Sequence, residues 1–403
     1  MKLDWKIIGG AIAVVLVAAL VLWLLLFHSS QTTPQSSTGG FGFVNGVSNV
    51  QTSGATNVGQ TGAISGQKVF EISAGPVASA TFMQTYAPTT TVARYVMADN
   101  GHVLDLNIDV PGAVARPVSN TTIPGIVSGT WGRNGSSTVL QYVDAGTLKS
   151  VYMEFASTSA GTTATPTRIQ FLPDNILSLA VSPDGSKLTY LLKTNSGSDG
   201  YIANIDGSSA TKLFSLPLSQ VFVSWPATTT LLVQTKSAAG VPGIAFSASV
   251  KTGVLTPLLY TPGLSAIANN TFSKIVYQTV AQVGGIHQAY AHDTQSGQDL
   301  DLPFNPFPEK CVWSAVSNTT LYCAAPAAYV SGDYLDQWHQ GLVTTPDSIF
   351  EFDVFAGATS LVVAPGSGNT APAEPINSMA VSSDGRYLLF ITRGDQSLWG
   401  VRL

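Results

Sequence analysis

One phrase occurs twice in this chain, in places far apart: Leu179-Ala-Val-Ser-Pro-Asp-Gly-Ser-Lys-Leu-Thr-Tyr-Leu-Leu192 and Met379-Ala-Val-Ser-Ser-Asp-Gly-Arg-Tyr-Leu-Leu-Phe-Ile391. Each copy is an apolar run, a tight turn of Ser, Asp and Gly, and a second apolar run, which is the pattern of two antiparallel strands joined at their ends. A strand–turn–strand unit that recurs with degenerate copies between is the signature of a β-propeller, in which such units stack radially. Length agrees, since 403 residues fit one large all-β domain.

The turn sets a frame for the rest. The place at or near Val181, where the first strand ends, is taken in other copies by Trp131, Trp225, Ile267, Trp313 and Val381. The turns that follow are Arg133-Asn-Gly, Ala227-Thr-Thr, Asn269-Asn-Thr, Ser317-Asn-Thr and Ser383-Asp-Gly, each leading into a β-rich run. A third phrase ends a strand in Asp, at Asp109, Asp206, Asp293 and Asp353, with Gly close behind. Asp there closes a turn through its own side chain. A calcium site built from Asp105, Asn107 and Asp109 is not expected, because the glycine of a tight calcium loop is missing.

First strands therefore start near Val77, Ile126, Ile176, Val221, Ser265, Cys311 and Ile376, which makes seven four-stranded blades. The last copy has three strands before Leu403, and Lys68 to Ser73 stands alone before the first. That N-terminal strand is expected to complete the last blade and close the ring, removing an open edge. The copies between residues 84 and 175 match poorly, so counts of six or eight remain open.

The two clear copies, with Val181-Ser-Pro-Asp-Gly185 and Val381-Ser-Ser-Asp-Gly385 at their centres, resemble the repeat of TolB-type and related WD-like propellers. The resemblance covers two blades well and the others in outline. It implies the fold, while propellers of this kind serve as protein-binding platforms, peptidase companion domains or enzymes. No hydrolase domain follows Leu403, so a peptidase companion role is not expected.

Compartment is read from the N-terminus. Ile7 to Phe27 carries no charged residue, and as a helix it spans about 32 Å, enough to cross a bilayer. Lys2 and Lys6 precede it and no Lys or Arg follows until Lys68, which orients residues 1–6 to the cytoplasm and the remainder outside. The expectation is an uncleaved transmembrane anchor over 7–27; a cleaved signal peptide is the alternative, with no clear cleavage site after Phe27. Residues 28–67 are Gly, Ser, Thr, Asn and Gln-rich, a flexible linker with a reach of roughly 35 Å. The propeller takes 68–403.

Only 10% of residues are charged, and the net charge is -5. There is no basic stripe for phosphates, so nucleic acid is not an expected partner. The expected partners are the membrane, through the N-terminal helix, and an envelope protein or glycan, bound by a monomeric propeller.

Few residues carry chemistry. Cys311 and Cys323 are the two cysteines, and counting outward from a turn at Ser317 sets them opposite each other on one hairpin, so a disulfide is expected. No zinc spacing and no Gly-x-Ser-x-Gly elbow occur, and no cofactor is expected. Trp131, Trp225 and Trp313 share one place in the repeat and read as packing between blades. Sequons at Asn120, Asn134, Asn269 and Asn318 read as turn chemistry.

The longest interruption of the pattern falls in the sixth blade, between its second and third strands. It contains Asp333, Tyr334, Asp336, Trp338 and His339, the candidate ligand-binding residues. Two readings stay open: aromatic and ionisable groups presented at the channel mouth, or Tyr334 and Trp338 plugging the loop onto the blade while Asp336 caps a short helical turn. The leading functional expectation is a membrane-anchored, extracytoplasmic binding or scaffolding module at the cell envelope. The alternative is a carbohydrate-active enzyme using Asp333, Asp336 or Glu351, which would need two carboxylates facing one cavity. A packed surface layer is a third possibility.

Overall fold

A computed structural model describes residues 67–86, 89–155, 165–282, 285, 287–303, 305–327, 334–367 and 371–403. The apolar segment 7–27, the linker as far as 66, and Asp333 lie outside the described residues.

After β1 (Val69–Ser73), blade 1 comprises β2 (Val77–Tyr86), β3 (Thr89–Met97), β4 (Val103–Asn107) and β5 (Arg116–Ser119), and blade 2 comprises β6 (Ile126–Trp131), β7 (Ser137–Asp144), β8 (Thr147–Glu154) and β9 (Arg168–Phe171). Blade 3 holds β10 (Ile176–Val181), β11 (Lys187–Thr194), β12 (Gly197–Asn204) and β13 (Thr211–Leu216); blade 4 holds β14 (Val221–Ala227), β15 (Thr230–Thr235), β16 (Pro242–Ser249) and β17 (Leu255–Pro262). Blade 5 runs through β18 (Ser265–Ala268), β19 (Lys274–Val280), β20 (His287–Asp293) and β21 (Asp299–Asp301), and blade 6 through β22 (Cys311–Trp313), β23 (Thr320–Pro326), β24 (Asp347–Asp353) and β25 (Ala358–Val363). Blade 7 is β26 (Ile376–Val381), β27 (Tyr387–Thr392) and β28 (Leu398–Arg402), completed on its outer edge by β1. The expected blade count, strand starts and N-terminal closure all hold.

Burial follows from this stacking. A second strand lies between two neighbouring blades, so β27 is buried at every position, whereas the outermost β9 is exposed at every position. Continuous apolar runs rather than alternation mark strands covered on both faces. Hydrophobic clusters of the described residues fill each of the seven interfaces between adjacent blades. Trp225 is buried between blades 3 and 4, Trp131 packs against the cluster between blades 1 and 2, and Trp313 against that between blades 5 and 6, as their shared place in the repeat implied.

The repeated phrase folds the same way twice. Asp184 accepts the Ser182 hydroxyl at 2.6 Å and the Ser186 N–H at 3.1 Å, and Asp384 accepts the Ser382 hydroxyl and the Arg386 N–H at the same distances. Gly185 and Gly385 take φ of +72° and +71°, a conformation in which a Cβ is strained. Two of the sequons are built into such turns. Asn269 is buried and its side-chain oxygen accepts the N–H groups of Ser273 and Lys274, while Asn134 exchanges hydrogen bonds with the Gln84 backbone.

In the third phrase, Asp206, Asp293 and Asp353 close their own turns by accepting N–H groups two or three residues on. Asp109 departs from this rule, because Asn107 takes over the local bond. Its carboxylate instead accepts the Thr91 N–H at 2.6 Å and the Tyr387 hydroxyl at 2.7 Å, with Arg386 3.6 Å away, and so ties blade 1 to blade 7.

This junction carries a pH dependence. Burial pushes the Asp109 carboxyl up, but the bonds from Tyr387 and Thr91 and the charge of Arg386 outweigh it and hold it below the usual carboxylate range. Asp184 and Asp384 sit lower still, at about 2. A carboxyl with a depressed folded pKa adds stability above its unfolded value and loses it as pH falls through the folded one. The urea midpoint of the full chain is therefore expected to decline steadily below about pH 4. Asp109→Asn should lower the plateau at neutral pH and flatten that decline; an unchanged acid limb in the variant would contradict the assignment.

Candidate functional site

Connections between second and third strands emerge on the face opposite the Asp-Gly turns. In blade 6 this connection runs over 327–346 and contains helix α1 (Tyr334–Gln340). It ends in a Schellman arrangement: the Gly341 N–H donates to the Trp338 carbonyl and the Leu342 N–H to that of Gln337, with Gly341 at φ +77°. Tyr334, Leu335 and Trp338 form the buried face, while Asp336 and His339 share the other side.

The buried face meets residues from several blades. Tyr334, Leu335, Trp338 and Val343 join Ala239 of blade 4, Val280 of blade 5 and Phe307 in an eighth cluster. His287, Phe307 and Tyr334 stack in series, with ring centroids 4.5 and 4.8 Å apart. Burial lowers the His287 imidazole to about 4, so it packs as a neutral ring at physiological pH. Arg393 of blade 7 lies 3.9 Å from the Trp338 ring centroid and donates to the Trp338 carbonyl at 2.6 Å; Lys310 lies 4.4 Å from the same ring. Two cations against one indole give the helix a seat that apolar contact alone would not.

Beneath the helix, Lys310 and Asp347 form a fully buried ion pair. Asp347 also accepts the Ile376 N–H at 2.7 Å. Burial pushes the Lys310 ammonium down and the Asp347 carboxyl up, against their mutual attraction. Lys310 ends the short 3-10 turn Pro308–Lys310, and its neighbour Glu309 points the other way, with its two carboxylate oxygens 3.1 and 3.2 Å from His339 Nε2. The buried lysine thus holds the exposed glutamate in place. Cys311 follows directly and is disulfide-bonded to Cys323, with which it is in cross-strand register, as expected.

A pocket of ≈ 410 Å³ opens beside this pair, lined by Phe222, Lys236, Ser237, Ser265, Glu309 and His339 among others. It lies where the inner strands of blades 4 and 5 meet the helix. The channel wall formed by the inner strands of blades 1, 2 and 7 has a second cavity of ≈ 290 Å³ with no charged side chain in its lining.

The sequence candidates separate accordingly. His339 reaches the pocket. Tyr334 and Trp338, candidates for ligand contact, are each 4% exposed and fasten the helix, which is the plug arrangement that the sequence also allowed. Asp336 accepts the Ala239 N–H of blade 4 at 3.0 Å, so it pins the helix across the face rather than capping its own turn. Glu351 sits in mid-strand on β24, paired in register with Tyr322 and Ser360. The oxygens of Asp105 and Asp109 bond to Arg94, and to Thr91 and Tyr387, respectively. Missed by sequence reasoning were Glu309, Lys310, Asp347 and Arg393. For Glu309 and Lys310 the signal was two adjacent charges, in Pro308-Glu-Lys-Cys311, at the start of a strand in a chain poor in charge; Asp347 and Arg393 left no such signal.

No family model and no curated protein matches this sequence. Among solved structures, the chain is similar to the β-propeller domain of the Trilobed protease from Pyrococcus furiosus, with a TM-score of 0.52, 10% identity, and coverage of 81% of this chain and 95% of that one. It is also similar to the β-propeller domain of Myceliophteria thermophila Cps50 (Swd1), at 0.51 and 9%, covering 83% of this chain and 99% of that one. The likeness is one of fold. Each of the two domains shares about one residue in ten with this chain, so the likeness points to no activity.

Proposed function

We propose that this protein is a membrane-anchored, extracytoplasmic β-propeller that binds a protein or glycan of the cell envelope at the channel mouth beside helix α1. The observation that carries the reading is the Glu309–His339 pair. Lys310 and Asp347 are buried beneath the helix, whereas these two, 37% and 19% exposed, face a pocket on the side of the propeller that carries the sixth-blade insertion. The compartment rests on the uncharged run Ile7 to Phe27 behind Lys2 and Lys6, with the disulfide in keeping with an oxidising environment.

The enzyme alternative has less behind it. Two carboxylates would have to face one cavity, and among the described residues Glu309 is the carboxylate lining the pocket. The test is capture from envelope extracts by the detergent-solubilised full chain, compared with the His339→Ala and Glu309→Gln variants. Loss of a specific partner in both variants supports the site. An identical partner set in all three samples removes it.

A further inference from the structure

The chemistry of the pocket narrows its occupant. Several of its polar side chains are already committed within the fold: the Gln234 amide both donates to and accepts from the Ala266 backbone at 2.8 Å, Ser237 donates to the Gly263 carbonyl, and Thr235 accepts the Ile244 N–H. Recognition therefore falls on Phe222, Lys236, Glu309 and His339.

Lys236 and Glu309 bring opposite formal charges, so the pocket has no net preference for an anion or a cation. It offers a donor and an acceptor within one lining. Among the described residues the Glu309 carboxylate pairs with the one imidazole nitrogen, and a carboxylate has about four acceptor sites, so acceptor capacity remains for a ligand. Phe222 is 43% exposed at the rim, leaving a flat apolar face open to a ring. A volume of ≈ 410 Å³ lies in the small-ligand range and is concave, unlike the broad surface that a protein partner covers.

We infer that the pocket takes a neutral glycan, with about one or two uncharged sugar rings enclosed. A sugar ring lies against Phe222, and its hydroxyls, each both donor and acceptor, bridge Glu309 and Lys236. The Pro308–Lys310 turn and the pinned helix hold Glu309 and His339, and strand β14 holds Phe222, before the ligand arrives, which limits the ordering cost of binding. This inference rests on the binding reading above and commits it to one class of ligand.

The test uses the purified full chain in detergent on an array of neutral hexose, neutral N-acetylhexosamine and uronic-acid oligosaccharides, with hits titrated calorimetrically. Neutral oligosaccharides are expected to bind, uronic-acid ones about tenfold or more weaker, and Phe222→Ala and Glu309→Gln each to lose about tenfold in affinity with the urea midpoint retained. Tighter binding of the acidic sugars, no neutral glycan bound, or affinity unchanged in both variants overturns the inference. If no glycan binds while envelope capture still depends on His339 and Glu309, the glycan fails and the binding surface stands. If neither occurs, both fail.

Discussion

Lys310→Met is expected to lower the unfolding free energy by about 3–5 kcal/mol, because it strands the Asp347 carboxylate in a site with no exposure. The remaining Asp347 oxygen is already buried without a partner among the described residues, so the variant would add a lost ion pair to an acceptor that is already unmet. Adding Asp347→Asn to Lys310→Met should return part of the loss, since an amide needs no counter-charge and can still accept the Ile376 N–H. Urea unfolding of the full chain through this double-mutant cycle measures the coupling. Strictly additive losses would show that the pair is not the unit that holds the sixth blade to the helix. Limited proteolysis after Lys310→Met should cut first around helix α1, whose Trp338 loses one of its two cations.

Arg94→Ala is the second large effect, also expected at about 3–5 kcal/mol. Arg94 is 2% exposed, forks onto Asp105 with bonds of 2.6 and 2.7 Å, donates to the Gly135 carbonyl of blade 2 at 2.7 Å, and lies 5.5 Å from the Phe155 ring centroid. One side chain thus closes blade 1 on itself and onto its neighbour. Arg94→Lys should recover less than roughly half of the loss, since an ammonium cannot make the planar two-bond contact while also reaching Gly135. A lysine variant as stable as the parent would mean that charge alone matters there.

Much of the ring is legible in the sequence because its instructions are local. Asp184 and Asp384 act on atoms two residues away, so a short phrase suffices to place each turn. Cys311 and Cys323 follow from counting out from one turn. One repeat escaped notice. Val77-Ala-Ser79, Ile126-Val-Ser128, Ile176-Leu-Ser178 and Ile376-Asn-Ser378 each start an inner strand, and each carries a register shift at the same step. Ser79 donates to the Gly129 carbonyl, and Ser178 accepts the Val223 N–H, both in the next blade's inner strand. An apolar residue, any residue and Ser is too short a pattern to stand out until the strands are superimposed.

The candidate site was legible only as a place. The insertion in blade 6 marks where the pattern breaks, and His339 within it does reach the pocket. Its partner Glu309 lies 30 residues away, the Ala239 N–H that holds Asp336 lies 97 away, and Arg393 beneath Trp338 lies 55 away. Arg94 was hidden for a related reason, being a charge inside an apolar strand whose counter-charge comes from the next strand over.

The sequence by itself determined the repeat, the seven strand starts and the closing strand, because turn chemistry and apolar runs act within a few residues and hold wherever the chain goes. Only the tertiary structure decided which aromatic residues of the insertion are seated and which charges face outward. Those choices depend on burial and on pairing between blades, and neither exists until the ring has brought distant segments together.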